Sequence, residues 1–142
     1  MRIAYFSPLN PIESGISDYS EELLPYLARY AEVDLFIDDN YRPSNPKIVK
    51  NFRVHNYRDF DQLRAKRAYD VNLYHIGNSP YHEYIYHTLL KYPGVVVLHD
   101  YVLHHLFIGM TLAKGDAQGY IEEMRYCYGE MGAALAREVV SR

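Results

Sequence analysis

The chain has 142 residues, a formal net charge of −3 and a single cysteine, Cys127. This length suits one domain, the slight acidity offers no basic footprint for nucleic acid, and one cysteine excludes a disulfide framework. No apolar run approaches the ~20 residues of a membrane-spanning helix, and Met1 leads directly into a predicted strand, so we expect a cytoplasmic protein without a signal peptide.

The first unit of the chain is predicted to be a strand, a loop and a helix. Residues 3–6 are apolar, residues 7–15 are rich in Pro, Asn, Ser and Gly, and an amphipathic stretch follows. The helix is expected to begin near Ser17 or Asp18, since either side chain can accept from the free amides of a first turn. Asp18 and Glu21 have capping-box spacing, and Pro25 is expected to kink the helix.

The rest of the chain alternates apolar runs with amphipathic stretches. Strands are predicted at 33–37, 52–55, 71–76 and 95–98, loops at 38–47 and 77–80, and helices at 57–69, 81–92, 101–113 and 117–140, the last one long or broken.

This alternation predicts an α/β fold, specifically a Rossmann-like three-layer sandwich with a mostly parallel sheet. The run at 95–98, Val-Val-Val-Leu, is typical of a strand buried on both faces. We expect residues 1–142 to form a single domain, with an α/β core over about 1–107 and a helical tail over 108–142.

Three stretches follow the carboxyl ends of predicted strands, namely 7–15, 77–80 and His99-Asp100. In a parallel sheet these ends share one edge, where ligands bind. Gly15 lets a ligand approach the backbone, and the free amides of a helix start suit phosphate, although a simple turn at Gly15 is an equal alternative. The polar ring of His99 ends an apolar strand and needs a partner, either a substrate hydroxyl or a backbone carbonyl.

Two acids, Asp38 and Asp39, follow the second predicted strand directly. An acid at this position binds the ribose hydroxyls in dinucleotide-binding proteins. Because no G-x-G-x-x-G motif follows the first strand, we favour a pair of solvated turn residues.

A group of polar side chains, His99, Asp100, His104 and His105, has the residue types of a metal site. Asp100 and His104 are four apart and would share a helix face. Apolar residues surround them and no third ligand at fixed spacing is evident, so we expect no metal. The remaining candidates, His75, His82 and His87, are expected to be structural.

Three blocks of the sequence together resemble a known family. In order, PLNPIESGISDYSEELLPYLARYAEVDLFID, YHIGNSPYHEYIY and VVVLHDYVLHHL resemble the N-terminal half of family-4 (group 1) glycosyltransferases. These retaining enzymes have the GT-B fold and transfer sugars from nucleotide-sugar donors. The resemblance covers residues 1–107 well and the tail poorly.

The resemblance implies one half of a two-domain enzyme. In this family an N-terminal domain mainly holds the acceptor, and a C-terminal domain across a cleft holds the nucleotide sugar. The chain would be the acceptor-side domain, with the nucleotide-sugar domain absent from it, and would be inactive alone.

The resemblance also implies roles for individual residues. His99 would be the catalytic residue and point toward the donor sugar. Gly15 and Ile16 would lie beside the donor phosphates, and Asp100 would share this donor site. The acceptor-side residues would be Asn10, Asn78 and Tyr81.

The partners implied are a nucleotide-sugar donor, a sugar or lipid-linked acceptor and the second domain, without a metal or other cofactor. A lipid-linked acceptor would bring the enzyme to the membrane periphery. An uncovered cleft face, or the amphipathic tail after Asp116, would favour self-association.

Two other functions stay open at this stage. One is a stand-alone nucleotide- or sugar-binding module, or a regulatory partner, without catalysis. The other is a metal-dependent hydrolase built on the His99, Asp100, His104 and His105 group.

Overall fold

Five parallel strands form the sheet of the computed structural model, which describes residues 1–142. The strands are β1 (Arg2–Phe6), β2 (Glu32–Ile37), β3 (Arg53–Asn56), β4 (Val71–Ile76) and β5 (Val95–Leu98). Their order is β3-β2-β1-β4-β5, and every neighbouring pair is parallel. The predicted Rossmann-like three-layer fold is therefore confirmed. The strand order reverses direction at β1, which is where ligands bind in such sheets.

Six helices and three short 3-10 turns connect and follow the strands. The helices are α1 (Gly15–Leu27), α2 (Pro46–Asn51), α3 (Phe60–Lys66), α4 (Glu83–Lys91), α5 (His104–Met110) and α6 (Ala117–Val140). The 3-10 turns are Tyr57–Asp59, Pro80–His82 and Leu112–Lys114.

The chain divides into two compact units. The first comprises Met1–Gly77 and Tyr81–Tyr101 and contains the whole sheet, whereas the second comprises Asn78–Pro80 and Val102–Arg142. None of the helices combines the length and the apolar character that crossing a membrane requires.

The two faces of the sheet bury different kinds of side chain, because successive residues of a strand point to opposite faces. One face packs mainly aliphatic residues of the strands against Leu24 of α1 and Ile48 of α2. The other face is aromatic. The centroid of the Phe6 ring lies 4.7 to 5.0 Å from the ring centroids of three aromatic neighbours. Those neighbours are Phe36, Phe60 and Tyr74.

Helix α1 begins earlier than the sequence predicted. Ser14 is its N-cap, and the Ser14 hydroxyl accepts from the backbone N–H of Ser17 at 3.1 Å. Gly15 is therefore the first helical residue, and the predicted start at Ser17 or Asp18 is wrong. The sequence left the helix start ambiguous, because Ser14 and Ser17 are equally suitable N-cap residues and Ser14 stands one turn earlier.

The carboxylate of Glu21 does not close a capping box on α1. It accepts from the backbone N–H of Asn10 at 2.9 Å and from the side-chain amide of Asn45 at 2.6 Å. Glu21 thus ties two loops to the middle of the helix. Pro25 lies in the last turn, and α1 continues through it to Leu27.

The connection from β2 to β3 contains a helix that the sequence reading missed. Residues 38–47 were expected to form a loop, but α2 begins at Pro46, and the Asn45 side chain caps it by accepting from Lys47 at 3.0 Å. An Asn cap followed by Pro at the first helical position is a recognised helix start, so the signal was present.

Strand β5 occupies an edge of the sheet, so the predicted burial on both faces is wrong. It pairs with β4 alone in the strand order, and Val95, Val96 and Leu98 are 54%, 42% and 53% exposed. An apolar run identifies a strand but does not reveal whether anything packs beyond it. The bounds of β5 agree with the prediction.

The second unit is helical, as predicted for the tail. The helix expected over 101–113 is shorter and forms α5 and a 3-10 turn. Helix α6 is interrupted at Gly129, whose φ of 67° lies in the left-handed region that favours glycine. Residues before and after this break share one small core, which consists of Tyr120, Ile121, Ala133 and Ala136.

The glycine before β5 gives a direct test of strand packing. A Cβ atom at Gly94 would lie 2.3 Å from the backbone oxygen of Asn72, whereas a Cβ atom at Gly15 would meet open space. We expect Gly94→Ala to lower the free energy of unfolding by about 1–3 kcal/mol through overpacking, and Gly15→Ala to change it little. Urea denaturation of both variants measures the difference, and equal stability would contradict the close approach of β4 and β5.

Candidate functional site

Three of the predicted elements meet around Gly77, which directly follows β4. A Cβ atom at Gly77 would lie 2.3 Å from Ile16 Cδ1, 2.9 Å from His82 Nε2 and 3.2 Å from Asp100 Oδ2. The helix start after β1, the turn after β4 and the acid after β5 therefore converge at the carboxyl edge of the sheet. A side chain at position 77 would have to displace at least one of these groups.

The N-terminus of α1 is open at this edge. Gly15 is exposed, and a side chain added there would project into empty space. The first amides of a helix have no intrahelical acceptor and carry the positive end of the dipole. The start of α1 is thus accessible, as an anion-binding helix terminus must be.

The ring of His99 bonds another histidine within the chain and not a backbone carbonyl. His99 Nε2 and His75 Nδ1 are 2.9 Å apart, and the Tyr19 ring of α1 contacts His99 edge-on with a centroid separation of 4.9 Å. His75 lies on β4 and is fully buried, while His99 is half-buried. Because Nε2 of His99 is engaged, only its Nδ1 is left to meet a ligand.

Burial keeps these two imidazoles neutral. Burial lowers the pKa of His75 to about 3, and the neighbouring charges of His99 and His82 lower it further. Partial burial also lowers the pKa of His99, although Asp100 opposes this shift. When both rings are neutral, one ring nitrogen of the pair donates and the other accepts.

His82 is a second buried imidazole beneath the same edge. Its Nδ1–H donates to the backbone oxygen of His75 at 2.9 Å, which leaves Nε2, the nitrogen near Gly77, with a lone pair. Burial lowers the pKa of His82, while this hydrogen bond and the charge of Asp100 raise it. The sequence reading assigned His75 and His82 structural roles and missed that both adjoin the candidate site.

The predicted acceptor-side residues lie in different surroundings. Asn10 is committed to α1, because its side-chain amide donates to Asp18 at 3.0 Å in addition to its bond with Glu21. Tyr81 is 48% exposed in the 3-10 turn before α4.

Asn78 belongs to the second unit, where it caps α5. Its side-chain oxygen accepts from the backbone N–H groups of His105 and Leu106 at 2.7 and 3.3 Å. Leu103, the residue before α5, makes no side-chain cap to the helix. The side chain of Asn78, which is distant in the sequence, therefore satisfies free amides of the first turn.

The metal alternative has no ligand set in the structure. No group of three or more His, Cys, Asp or Glu side chains is arranged to hold a metal ion. Within the second unit, His104 instead lies 3.5 Å from the hydroxyl of Tyr120.

The buried pair predicts how stability depends on pH. The ordinary His pKa is 6.5, so His75 of the unfolded chain takes up a proton below that pH, while folded His75 stays neutral down to about 3. The contribution of neutral His75 to the free energy of unfolding is thus complete above pH 6.5 and falls by up to about 1.4 kcal/mol per pH unit below it. His75→Phe should flatten this slope in urea unfolding from neutral to mildly acidic pH.

The matched control for this measurement is His87→Phe, since His87 is a histidine that is 60% exposed on α4. We expect this variant to keep the wild-type pH slope. An unchanged slope in His75→Phe would contradict the burial of a neutral His75.

No matching relative supports the geometry described above. Comparison with known proteins finds no matching family model, no matching curated protein and no matching solved structure. The fold is established by the order and direction of the strands, and any function must be argued from the residues at the carboxyl edge.

Proposed function

We propose that this chain is the acceptor-side domain of a retaining glycosyltransferase that uses a nucleotide-sugar donor. The observation that carries the proposal is the meeting of Ile16, Gly77 and Asp100 at one edge of a parallel sheet, with His99 beside them. The sequence resemblance assigns donor contacts to Ile16, His99 and Asp100. Their convergence supports that assignment, because these residues are far apart in the sequence.

The donor diphosphate would lie at the N-terminus of α1. The open space above Gly15 admits a phosphate group to the first amides of the helix. These amides donate hydrogen bonds, and the helix dipole adds a partial positive charge.

His99 would position the donor sugar through its free Nδ1. His75 holds the opposite nitrogen, and the Tyr19 ring limits rotation of the imidazole. A ring fixed in this way aligns one hydrogen bond with one sugar hydroxyl, which is how preorganised groups contribute to catalysis.

Transfer requires cations from elsewhere. The three side chains nearest to a Cβ atom at Gly77 are Ile16, His82 and Asp100, and none is a permanent cation. A developing diphosphate charge is stabilised by Arg, Lys or preorganised donors. We propose that a second Rossmann-like domain supplies these groups across a cleft and that the present chain alone does not catalyse transfer. The acceptor would be a sugar or a lipid-linked sugar, and the complete enzyme would work in the cytoplasm or at a membrane surface.

The first experiment is a titration of the isotopically labelled chain with a panel of nucleoside diphosphate sugars, followed by NMR. We expect shift changes at the amides of Gly15 and Ile16 and at the His99 imidazole, because these groups contact the phosphates and the sugar. Gly15→Val should weaken binding at least tenfold without unfolding the chain, since its side chain would occupy the phosphate position.

Two matched variants separate donor contact from general effects. His99→Ala should reduce the response to the sugar part of the donor, whereas His87→Ala, on the outer surface of α4, should leave it unchanged. Shift changes confined to other surfaces, or full binding by Gly15→Val, would refute the donor assignment. Binding with no transferase activity in any longer form of the protein would favour the stand-alone binding module.

A further inference from the structure

A separate cavity of about 450 Å³ lies at the carboxyl ends of β2 and β3, in the first unit. Its size is within the roughly 300–1,000 Å³ of small-molecule sites. The lining residues that carry the argument are Asp38, Asp39, Val49, Phe52, Val54 and Asn56. None of them belongs to the group of residues around Gly77.

Polar groups line one side of this cavity, next to the end of the sheet. Asp38 directly follows Ile37, which pairs with Asn56 across the strands, and both Asp38 and Asn56 line the cavity. One oxygen of Asp38 accepts from the backbone N–H of Asp39 at 2.8 Å. Burial raises the pKa of the half-buried Asp38 carboxyl.

Arg58 holds the two neighbouring polar groups in place. Its guanidinium binds Asp39 at 2.6 Å, and its backbone N–H donates to the side-chain oxygen of Asn56 at 2.8 Å. The Asn56 side-chain NH2 is a hydrogen-bond donor and the Asp38 carboxyl, which also contacts the Asp39 side chain, offers acceptor oxygens.

Apolar groups also line the cavity. Val49 is 54% exposed, and Phe52 and Val54 are half-buried, so a patch of apolar surface is open to the cavity. A site with an apolar wall facing a few fixed polar groups is typical of ligands that have one face of each kind.

The remaining wall is preformed by hydrogen bonds to the loop after β1. The hydroxyl of Tyr41 accepts from the backbone N–H of Leu9 at 2.9 Å, and the Ser44 N–H donates to the Asn10 oxygen at 2.8 Å. These bonds fix residues 41–44 over the cavity, which reduces the ordering cost of binding.

We propose that this cavity binds the vicinal diol of a ring sugar, with the hydroxyls on Asp38 and Asn56 and the apolar face of the ligand on Val49 and Phe52. A ring sugar presents hydroxyl donors and acceptors at its rim and C–H groups on its faces, which matches the mixed polar and apolar lining of the cavity. The same diol occurs in a free or glycosidic hexose and in the ribose of a nucleoside. The proposal does not depend on the proposed transferase function, because it concerns a different set of residues.

Ligand-observed saturation-transfer NMR on the folded chain tests this proposal with two ligand pairs. One pair is methyl α-glucopyranoside and its analogue without vicinal hydroxyls, and the other is uridine and 2′,3′-dideoxyuridine. Binding of a diol-bearing member over its analogue supports the site, and the pair that responds identifies a hexose or a nucleoside as the source. Equal binding of both members, or no binding of any ligand at millimolar concentration, overturns it.

Three variants locate the binding. Asp38→Asn keeps the size of the side chain and the bond from Asp39 but removes the charge, so we expect affinity to fall at least tenfold. Val49→Trp adds bulk at an exposed position and should block the cavity. Asp61→Asn changes an exposed acid on α3, outside the cavity, and should bind as the wild type does. Wild-type affinity in both cavity variants, with folds verified by two-dimensional NMR, would also overturn the proposal.

Discussion

The central strand β1 is the constraint on which the candidate site depends. It pairs in parallel with β2 and β4, and its residues 3–6 are at most 4% exposed. A shift by one residue would exchange the side chains that face α1 with those that face the aromatic layer, so the register is strongly determined. The loop after Phe6 therefore emerges at a fixed point, and this is why Ile16 meets the groups that follow β4 and β5.

A buried polar layer beneath α1 holds the helix against this strand. The Tyr5 hydroxyl donates to Ser20 at 2.9 Å, and the hydroxyls of Ser20 and Ser7 are 2.7 Å apart. The Tyr5 ring also lies 4.5 Å from the His75 ring, which in turn holds His99. Buried polar groups cost free energy unless they are bonded, so such a layer favours a single arrangement. It links the helix start at Gly15 to the histidine pair.

Arginines at both edges of the sheet are engaged in ion pairs. Near the amino edge, buried Asp34 on β2 accepts from Tyr69 at 2.7 Å and pairs with Arg67 at 3.0 Å and Arg53 at 3.3 Å. Glu32 at the start of the same strand binds these two arginines and Arg2. These guanidiniums are thus committed to structural ion pairs. At the carboxyl edge Arg58 is likewise paired with Asp39.

The sequence by itself determined the fold class and the position of most elements. Alternating apolar runs and amphipathic stretches are local patterns, and β4 and β5 lie where those patterns indicate. The convergence around Gly77 also followed from the sequence, because parallel strands bring their carboxyl ends to one edge. Only the tertiary structure revealed that His99 bonds His75, that Asn78 caps α5, that β5 is an exposed edge and that Asp38 lines a cavity. Each of these facts depends on which residues distant in the chain become neighbours, and periodicity within one segment carries no information about its neighbours in space.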